Sequence, residues 1–369
     1  NVYNQLDVNM ETVFAGYDIK EVTDAKVIAL VTNDIVSQNA CAGDDVSVFL
    51  DKTPFYAESG GQVGDNGIIQ TQTGVVQITD CIKVIGGKIA HIGVVKEGSI
   101  AVGDSACAKI DMALRMATSR NHSATHLLQK ALRTVLGTHV EQAGSYVSAE
   151  RLRFDFTHFT ALTEQELKEV ENIVNEKIFE SLEINTCQKS IEDARQMGAM
   201  ALFGEKYGDV VRVVTMGDFS IELCGGAHLT NTAQVGTFKI ISENGIAAGV
   251  RRIEALTGTE ALKYYQSQEE QLKQICKAVK ANAENVVYKV EQIVSEQKET
   301  TKEIEKLKAK LAGGAVEEIL SQKQQINGIS VICANVKDAD ANALKTMGDQ
   351  LKVKLGSGIV VLASGKGDK

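Results

Sequence analysis

Residues 111–136 read DMALRMATSRNHSATHLLQKALRTVL and divide the sequence into two parts of different character. They predict a long helix with Asp111 as its N-cap and Gly137 as its C-cap. Short β-branched runs dominate the sequence before this helix, whereas helical and strand patterns alternate after it. For a chain of 369 residues, this change in pattern predicts an α+β multidomain fold.

The segment before the helix, residues 1–110, predicts a small β-barrel subdomain. Turn signals such as Gly43-Asp44 and Gly86-Gly87 separate its β-branched runs at nearly regular intervals. The runs are 27–31, 46–50, 67–69, 75–78 and 91–95. The glycine-rich stretch 53–67 fits a shaped polar loop, with Glu58 and Gln62, or a wide hairpin connection, and its residues alone favour the hairpin.

Residues 111–258 combine helices with strands. A second helix is predicted at 163–182, because Thr163 and Glu166 have the spacing of a capping box. Strand-like runs are 144–147, 152–156, 210–214, 219–223 and 236–241. Helices lying against an antiparallel sheet are typical of an α+β domain.

Residues 259–312 predict a helical region. Apolar residues recur from Leu272 to Leu311 at alternating steps of three and four, which is heptad spacing. The stretch 282–285 predicts a break, and Gly313-Gly314 predicts the end of the helix. A helical hairpin packed on its own domain and a coiled coil between two copies both fit this pattern.

The last segment, residues 313–369, predicts a partial C-terminal globular domain. Its pattern indicates a helix to about residue 325, a strand at 329–335, a helix at 340–354 and a strand at 359–362. Such a βαβ piece is too small to cover both faces of its sheet, so a truncated α/β domain is expected.

Two pairs of ligand-type side chains have matching spacing. His122 and His126 lie four residues apart on one predicted helical face, and Cys224 and His228 are also four apart. Taken singly, each pair also fits a buried or capping residue, but together they predict one site of three nitrogens and one sulfur, which suits Zn²⁺. Ser123 stands where an HExxH metalloprotease has its glutamate, so peptide hydrolysis is disfavoured.

The composition excludes several classes of protein. No apolar run approaches the roughly 20 residues of a membrane span. A net charge of −9 argues against a polycationic surface for nucleic acid. Seven cysteines without a CxxC motif favour free thiols over disulfides. Since the chain also opens without a signal segment, we expect an excised fragment of a cytoplasmic protein with no membrane partner.

Four segments together resemble alanyl-tRNA synthetase, and more narrowly its editing domain and the related free-standing editing proteins. They are TPFYAESGGQVGD (53–65), RNHSATHLL (120–128), CGGAHL (224–229) and GVRRIEALTG (249–258), in the order of the family. The heptad region and the tail resemble the start of that synthetase's C-terminal domain. No aminoacylation core precedes these segments, so ligase and ATP-binding functions are expected of a full-length protein and not of this chain.

The resemblance implies hydrolysis of the ester in tRNA(Ala) mischarged with serine or glycine. It makes residues 111–258 a zinc-binding editing domain, with His122, His126, Cys224 and His228 holding Zn²⁺. Zinc would orient the substrate or polarise a water, and Cys224 would be a thiolate ligand rather than a nucleophile. Four protein donors leave no open position, so one ligand would have to be loose or the coordination would have to expand.

Further site residues follow from the same resemblance. Gln142 matches a family position implicated in editing, although a surface glutamine is the alternative. Thr125 and Glu222 are candidates to read the substrate hydroxyl or to hold water. Arg251 and Arg252 are candidates to bind the tRNA end, although a solvated turn fits them equally.

Two other functions stay open from the sequence. The chain fits a free-standing trans-editing protein, and it also fits a non-catalytic, zinc-stabilised module for RNA binding or dimerisation. A homodimer through the helical and C-terminal region is a further alternative.

Overall fold

The computed structural model describes residues 2–7, 9–200, 208–337 and 339–365. The chain forms two compact units, Asn1–Ser267 and Gln268–Lys369. The domain limits predicted after residues 110, 258 and 312 remain predictions. No helix in the described ranges is long and apolar enough to cross a lipid bilayer.

Among the described residues, ten strands precede the first α-helix. They are β1 (Val13–Phe14), β2 (Glu21–Thr32), β3 (Ile35–Ser37), β4 (Asn39–Cys41), β5 (Asp45–Leu50), β6 (Lys52–Thr53), β7 (Gly67–Gln70), β8 (Gly74–Lys83), β9 (Ile89–Ala101) and β10 (Ser105–Ile110). The order β10-β7-β8-β9-β5-β2 closes on itself, because β10 also pairs with β2. The predicted small barrel is therefore confirmed, with all five predicted runs in its strands and with Leu30, Val48 and Ile78 fully buried in its core.

The rest of the first unit places helices against antiparallel sheets. Its elements are α1 (Met112–Leu136), β11 (Gln142–Val147), β12 (Leu152–Thr157), α2 (Glu164–Phe179), β13 (Ile184–Ser190), α3 (Ile191–Gln196), β14 (Val210–Met216), β15 (Ser220–Leu223), β16 (Phe238–Ala247) and β17 (Val250–Thr257). One sheet has the order β11-β12-β17-β16, and a second has the order β13-β14-β15. Leu127 and Leu128 of α1, Val174 of α2, and Phe154 and Phe156 of β12 share one buried core.

The predicted helix signals work as expected at both α1 and α2. The Asp111 carboxylate accepts hydrogen bonds from the backbone N–H groups of Ala113 and Leu114, at 2.9 and 3.1 Å. Gly137 ends α1 with a φ of 114°, which favours glycine. Thr163 and Glu166 form the predicted capping box.

Two further helices follow, α4 (Gly258–Val279) and α5 (Val286–Ser321), separated where the sequence predicts a break. The predicted end at Gly313-Gly314 is wrong, since α5 continues through both glycines. Each glycine costs a helix about 1 kcal/mol relative to alanine. Val316 and Ile319, just beyond them, are buried in the core of the second unit, and this burial keeps the segment helical.

The second unit ends in a three-stranded sheet. Its elements are β18 (Gln324–Ile326), β19 (Ile329–Asn335), α6 (Ala341–Leu355) and β20 (Ile359–Ala363). β19 and β20 are parallel, which confirms the predicted βαβ piece. Ile359 and Val361, on alternate positions of β20, are about half exposed, so one face of the sheet is open in the described part of the chain.

The helix predicted up to residue 325 is wrong at its end, because residues 324–326 form β18. Asn327 and Gly328 have φ values of 49° and 81°, and they connect β18 to β19 through a two-residue turn. Asn-Gly is the sequence that such a hairpin turn favours.

Candidate metal centre

Four side chains converge between α1 and the loop that follows β15. His122 and His126 come from α1, Cys224 and His228 come from the loop, and their ligand atoms all lie within 4.8 Å of one another. The Cys224 Sγ lies 3.4 Å from His122 Nε2 and 3.3 Å from His228 Nε2. Within the described ranges, this is the one group of three or more ligand-type side chains placed to hold a metal ion.

Each of the three histidines has a hydrogen-bond partner at Nδ1, on the side of the ring away from the sulfur. The pairs are His122 with Gln62 Oε1 at 2.7 Å, His126 with Glu222 Oε2 at 2.6 Å, and His228 with Ser123 Oγ at 3.2 Å. Such partners fix ring orientation and tautomer in metal-binding histidines, because they leave Nε2 free as the donor. The arrangement therefore fits a metal centre better than a set of buried polar residues satisfied among themselves.

Glycine at position 226 allows the loop to approach α1. A Cβ on Gly226 would lie 2.0 Å from Cε1 of His122, which is an impossible contact. A Cβ on the neighbouring Gly225 would meet nothing closer than the Tyr17 hydroxyl, at 3.9 Å. The two glycines of the motif thus have different roles, and only Gly226 is required by close packing against a ligand.

Two side chains from outside the loop hold its backbone. Arg212 Nη1 donates hydrogen bonds to the carbonyl oxygens of Cys224 and Gly226, at 3.0 and 2.8 Å. The Tyr17 hydroxyl donates to the carbonyl oxygen of Gly225, and the Arg212 guanidinium lies 4.1 Å from the centre of the Tyr17 ring. This cation–π stack and its hydrogen bonds fix the position of the loop.

The electrostatics of the centre favour a thiolate. Burial alone would raise the pKa of the Cys224 thiol, but His122, His228 and His126 together hold it well below its usual value. Burial lowers the pKa of His228 to about 3. Burial also opposes protonation of His126, but Glu222 and Cys224 outweigh it and raise the pKa of His126 to about 10. In the metal-free chain the Cys224 thiolate and the Glu222 carboxylate thus stabilise a protonated His126, and a cation bound by the centre would take the place of that proton.

A cavity of about 300 Å³ opens beside the four residues. Thr125, Gln142 and Glu222 all line it, so the structure brings these three predicted residues together with His122 and His126. The wall opposite α1 includes Tyr56, Ser59 and Gly60 of the connection between β6 and β7.

The three predicted pocket residues differ in which of their hydrogen-bonding atoms remain available to a ligand. The Thr125 hydroxyl donates to the backbone oxygen of Asn121 at 2.8 Å, so its oxygen remains available as an acceptor. The Glu222 carboxylate is engaged at both oxygens, by His126 and by the Ser220 hydroxyl at 2.9 Å. The Gln142 side chain makes no hydrogen bond within the described part of the chain.

The structure does not bring Arg251 and Arg252 to this pocket. Both lie on β17, and each makes a two-pronged ion pair with a carboxylate. Arg251 pairs with Glu243 at 2.5 and 2.7 Å, and Arg252 pairs with Asp155 at 2.6 and 2.8 Å. Their assignment to tRNA binding remains a prediction.

Gln62 was named from the sequence only as part of a polar loop, and its role at the metal centre was not predicted. The connection between β6 and β7 is the shaped polar loop and not a wide hairpin, since Gln62 is fully buried against His122. Gly60-Gly61 before it was the available signal. Gly61 has a φ of 83°, and a Cβ there would lie 2.5 Å from the Ser145 carbonyl oxygen, so glycine is needed.

Two protein families match parts of the chain. The family described as "tRNA synthetases class II (A)" matches residues 1–114. The family described as "Threonyl and Alanyl tRNA synthetase second additional domain" matches residues 211–254, which include Cys224 and His228. The two matches therefore cover most of the barrel and the ligand-bearing loop.

Curated relatives match the whole chain. It is 51% identical over 369 residues to "Alanine--tRNA ligase" of Acetivibrio thermocellus, and 48% identical over 369 residues to "Alanine--tRNA ligase 1" of Lachnoclostridium phytofermentans. It is 47% identical over 363 residues to "Alanine--tRNA ligase" of Bacillus subtilis, which is 98% of this chain. The chain spans 42%, 42% and 41% of the lengths of these proteins.

Proposed function

The chain belongs to the alanine–tRNA ligase family, and we propose that it carries the hydrolytic editing site of such an enzyme. The reaction is hydrolysis of the ester that joins serine or glycine to mischarged tRNA(Ala). The observation that carries this proposal is the convergence of His122, His126, Cys224 and His228 beside a cavity large enough for a small aminoacyl group, with the first three of them on its wall.

The cofactor of this site is Zn²⁺. Three imidazole nitrogens and one thiolate are donors that Zn²⁺ prefers, and the outer partners of the three rings support that assignment. A bound zinc ion would supply positive charge to polarise the ester carbonyl or a water molecule. Cys224 acts as a ligand, since its thiolate lies among the three histidines and has no separate base.

The pocket residues have different roles in this proposal. Thr125 accepts a hydrogen bond from the serine hydroxyl, because its own proton is already given to Asn121. The Gln142 amide has no hydrogen-bond partner among the described residues, and it can bind the amino acid or the ester oxygen. Glu222 orients His126 through one oxygen and accepts from Ser220 through the other, and the remaining lone pairs of the carboxylate can hold a water molecule.

Selectivity follows from the same contact. Alanine has no hydroxyl that could donate a hydrogen bond to Thr125. The transition state for hydrolysis of Ala-tRNA(Ala) is therefore stabilised less than that for Ser-tRNA(Ala). A synthetic site rejects serine poorly because serine exceeds alanine by one hydroxyl, whereas a site that hydrogen-bonds this hydroxyl reverses the preference. Glycine also lacks the hydroxyl, so this contact accounts for the selection of serine and not of glycine.

The contacts in the structure say less about tRNA binding and dimerisation than about the pocket. Arg251 and Arg252 are already paired with carboxylates, so tRNA phosphates would have to compete with or share these partners. In the second unit, Ile304, Leu307 and Leu311 of α5 are about half to three-quarters exposed, and this apolar stripe supports the homodimer alternative. The cytoplasmic location remains a prediction.

The test is deacylation of Ser-, Gly- and Ala-tRNA(Ala) by the purified chain, with and without a zinc chelator. We expect Ser-tRNA(Ala) to be hydrolysed faster than Ala-tRNA(Ala), and both chelation and Cys224→Ala to abolish the difference. Zinc binding without any deacylation would instead favour the non-catalytic module. Equal rates on the two substrates would contradict the editing proposal.

A further inference from the structure

Gln62, a buried side chain of the barrel, contacts a ligand of the metal centre. Gln62 lies between β6 and β7, is fully buried, and places its Oε1 2.7 Å from His122 Nδ1. The same oxygen accepts a hydrogen bond from the backbone N–H of Ala227, at 2.9 Å. One amide oxygen therefore joins α1, the ligand loop and the barrel.

The contact with Ala227 determines which atom of the amide faces His122. A backbone N–H can only donate, so the atom it meets must be the oxygen of Gln62 and not its nitrogen. That oxygen can only accept, so Nδ1 of His122 must carry a proton. In the neutral ring, Nε2 is then the lone-pair donor on the side of Cys224, as metal binding requires.

The amide nitrogen of Gln62 makes no comparable contact among the described residues. Gln62 Nε2 is buried and finds no partner among the described residues. An unsatisfied buried donor costs stability, so packing alone would favour an apolar side chain at this position. A glutamine at this buried position fits a role of its oxygen in the site.

The backbone holds this oxygen in place. The Val147 N–H donates to the Gly61 carbonyl at 2.7 Å, and the Val63 N–H donates to the Val147 carbonyl at 3.0 Å. Gln62 is thus pinned to β11 from both sides, and the absence of a Cβ at Gly61 permits the close approach to Ser145.

From these contacts we propose that Gln62 is a positioning residue that fixes the tautomer and orientation of His122 for metal binding. The barrel is thereby part of the metal centre. This inference rests on the zinc site of the proposed function, and it assigns to Gln62 for His122 the role that Glu222 has for His126.

The experiment measures zinc affinity and not only activity. The full chain is stripped of metal, and Zn²⁺ is titrated in competition with a chromophoric chelator. We expect Gln62→Met to bind zinc about 10- to 100-fold more weakly, the usual effect of losing an outer partner of a ligand. Gln62→Glu, which keeps an acceptor oxygen, should match or exceed the wild-type affinity.

Gln77→Met is the matched control. Gln77 is also a barrel glutamine with a hydrogen bond to a backbone oxygen, that of Gly67 at 2.9 Å, and it has no contact with the ligands. Its substitution should leave zinc affinity unchanged. A Gln62→Met protein that binds zinc as tightly as wild type would overturn the inference and leave the proposed function intact, whereas a wild-type chain that binds no zinc would overturn the zinc site itself.

If the Gln62→Met variant fails to fold, a second variant and a spectroscopic measurement test the inference instead. Gln62→Asn keeps the amide but is one methylene shorter, so its oxygen cannot reach both donors, and the same loss of affinity is expected. Nitrogen-15 NMR of labelled histidines in the metal-free wild type should show the proton of His122 on Nδ1. A proton on Nε2 would contradict the inference.

Discussion

Gly226 lies so close to His122 that a Cβ at position 226 would fall 2.0 Å from the ring carbon Cε1. Gly226→Ala should therefore displace either the loop or the ring and weaken zinc binding. Overpacking of this kind costs about 1–3 kcal/mol, or roughly 5- to 150-fold in affinity. The zinc content of the purified protein, measured by metal analysis during dialysis against a chelator, checks this expectation.

Gly225→Ala is the control for that substitution. Neither glycine has a positive φ, and a Cβ at 225 would meet only the Tyr17 hydroxyl at 3.9 Å. This variant should keep its zinc. If both variants lose zinc equally, the explanation by contact with His122 is wrong.

A buried ion pair connects α1 with the loop that carries Gln62. Arg115 and Asp65 are 3% and 6% exposed, and Arg115 also donates to the backbone oxygens of Gly16 and Pro54. Arg115→Met leaves the Asp65 carboxylate buried without its partner, which should lower the free energy of unfolding by about 3–5 kcal/mol. Urea unfolding followed by far-ultraviolet circular dichroism measures the change.

The double variant Arg115→Met with Asp65→Asn should recover part of this loss, since the uncompensated charge is removed. Lys263→Met is the exposed comparison, because Lys263 pairs with Glu260 at the surface and such pairs contribute at most about 1 kcal/mol. A loss of similar size in Arg115→Met and Lys263→Met would contradict the role given to burial.

Stability should fall as the pH is lowered because of His91. This ring is fully buried, with Nδ1 2.8 Å from the Val48 carbonyl and Nε2 2.6 Å from the Thr53 hydroxyl. Burial lowers the pKa of His91 to about 4, from an ordinary value of 6.5. Between these pH values the unfolded chain binds a proton that the folded chain does not, so the free energy of unfolding decreases from pH 6.5 to pH 4 by about 3 kcal/mol.

Urea unfolding at several pH values tests this slope against His91→Leu. The variant lacks the titrating ring, so its stability should depend less on pH over that range, even if it is less stable at every pH. Parallel slopes for the two proteins would show that His91 does not titrate as described.

The sequence predicted what local chemistry determines. Asp111 and Thr163 cap helices because their side chains reach backbone N–H groups two or three residues away, and this requires no tertiary contact. Gly313-Gly314 misled the prediction because burial of Val316 and Ile319 outweighs the low helix propensity of glycine. The hairpin at Asn327-Gly328 was not predicted despite a local signal, since the predicted helix extended to about residue 325 and so covered most of β18.

The candidate site was predictable only in part, because some of its contacts are local in the sequence and others join distant segments. His122 and His126 share a helical face, so their spacing alone brought them together. Gln62 contacts His122 across 60 positions of the chain, and no periodicity encodes such a contact. The pairing of Arg251 with Glu243 and of Arg252 with Asp155 depends on strand register, which the isolated motif could not reveal.

Thr125 should determine the preference for serine over alanine. Its hydroxyl proton is donated to Asn121, so its oxygen can only accept from a ligand in the cavity. Thr125→Val removes that acceptor at nearly constant volume, and the ratio of kcat/KM for Ser-tRNA(Ala) to that for Ala-tRNA(Ala) should fall by about 5- to 150-fold, corresponding to about 1–3 kcal/mol. Thr125→Ser should keep the ratio.

Thr134→Val is the matched control, because Thr134 also lies on α1 and donates to a backbone oxygen four residues earlier, that of Lys130, but is exposed. Steady-state deacylation of both substrates by the four proteins measures the ratio, and an unchanged ratio in Thr125→Val would exclude Thr125 as the residue that reads the hydroxyl.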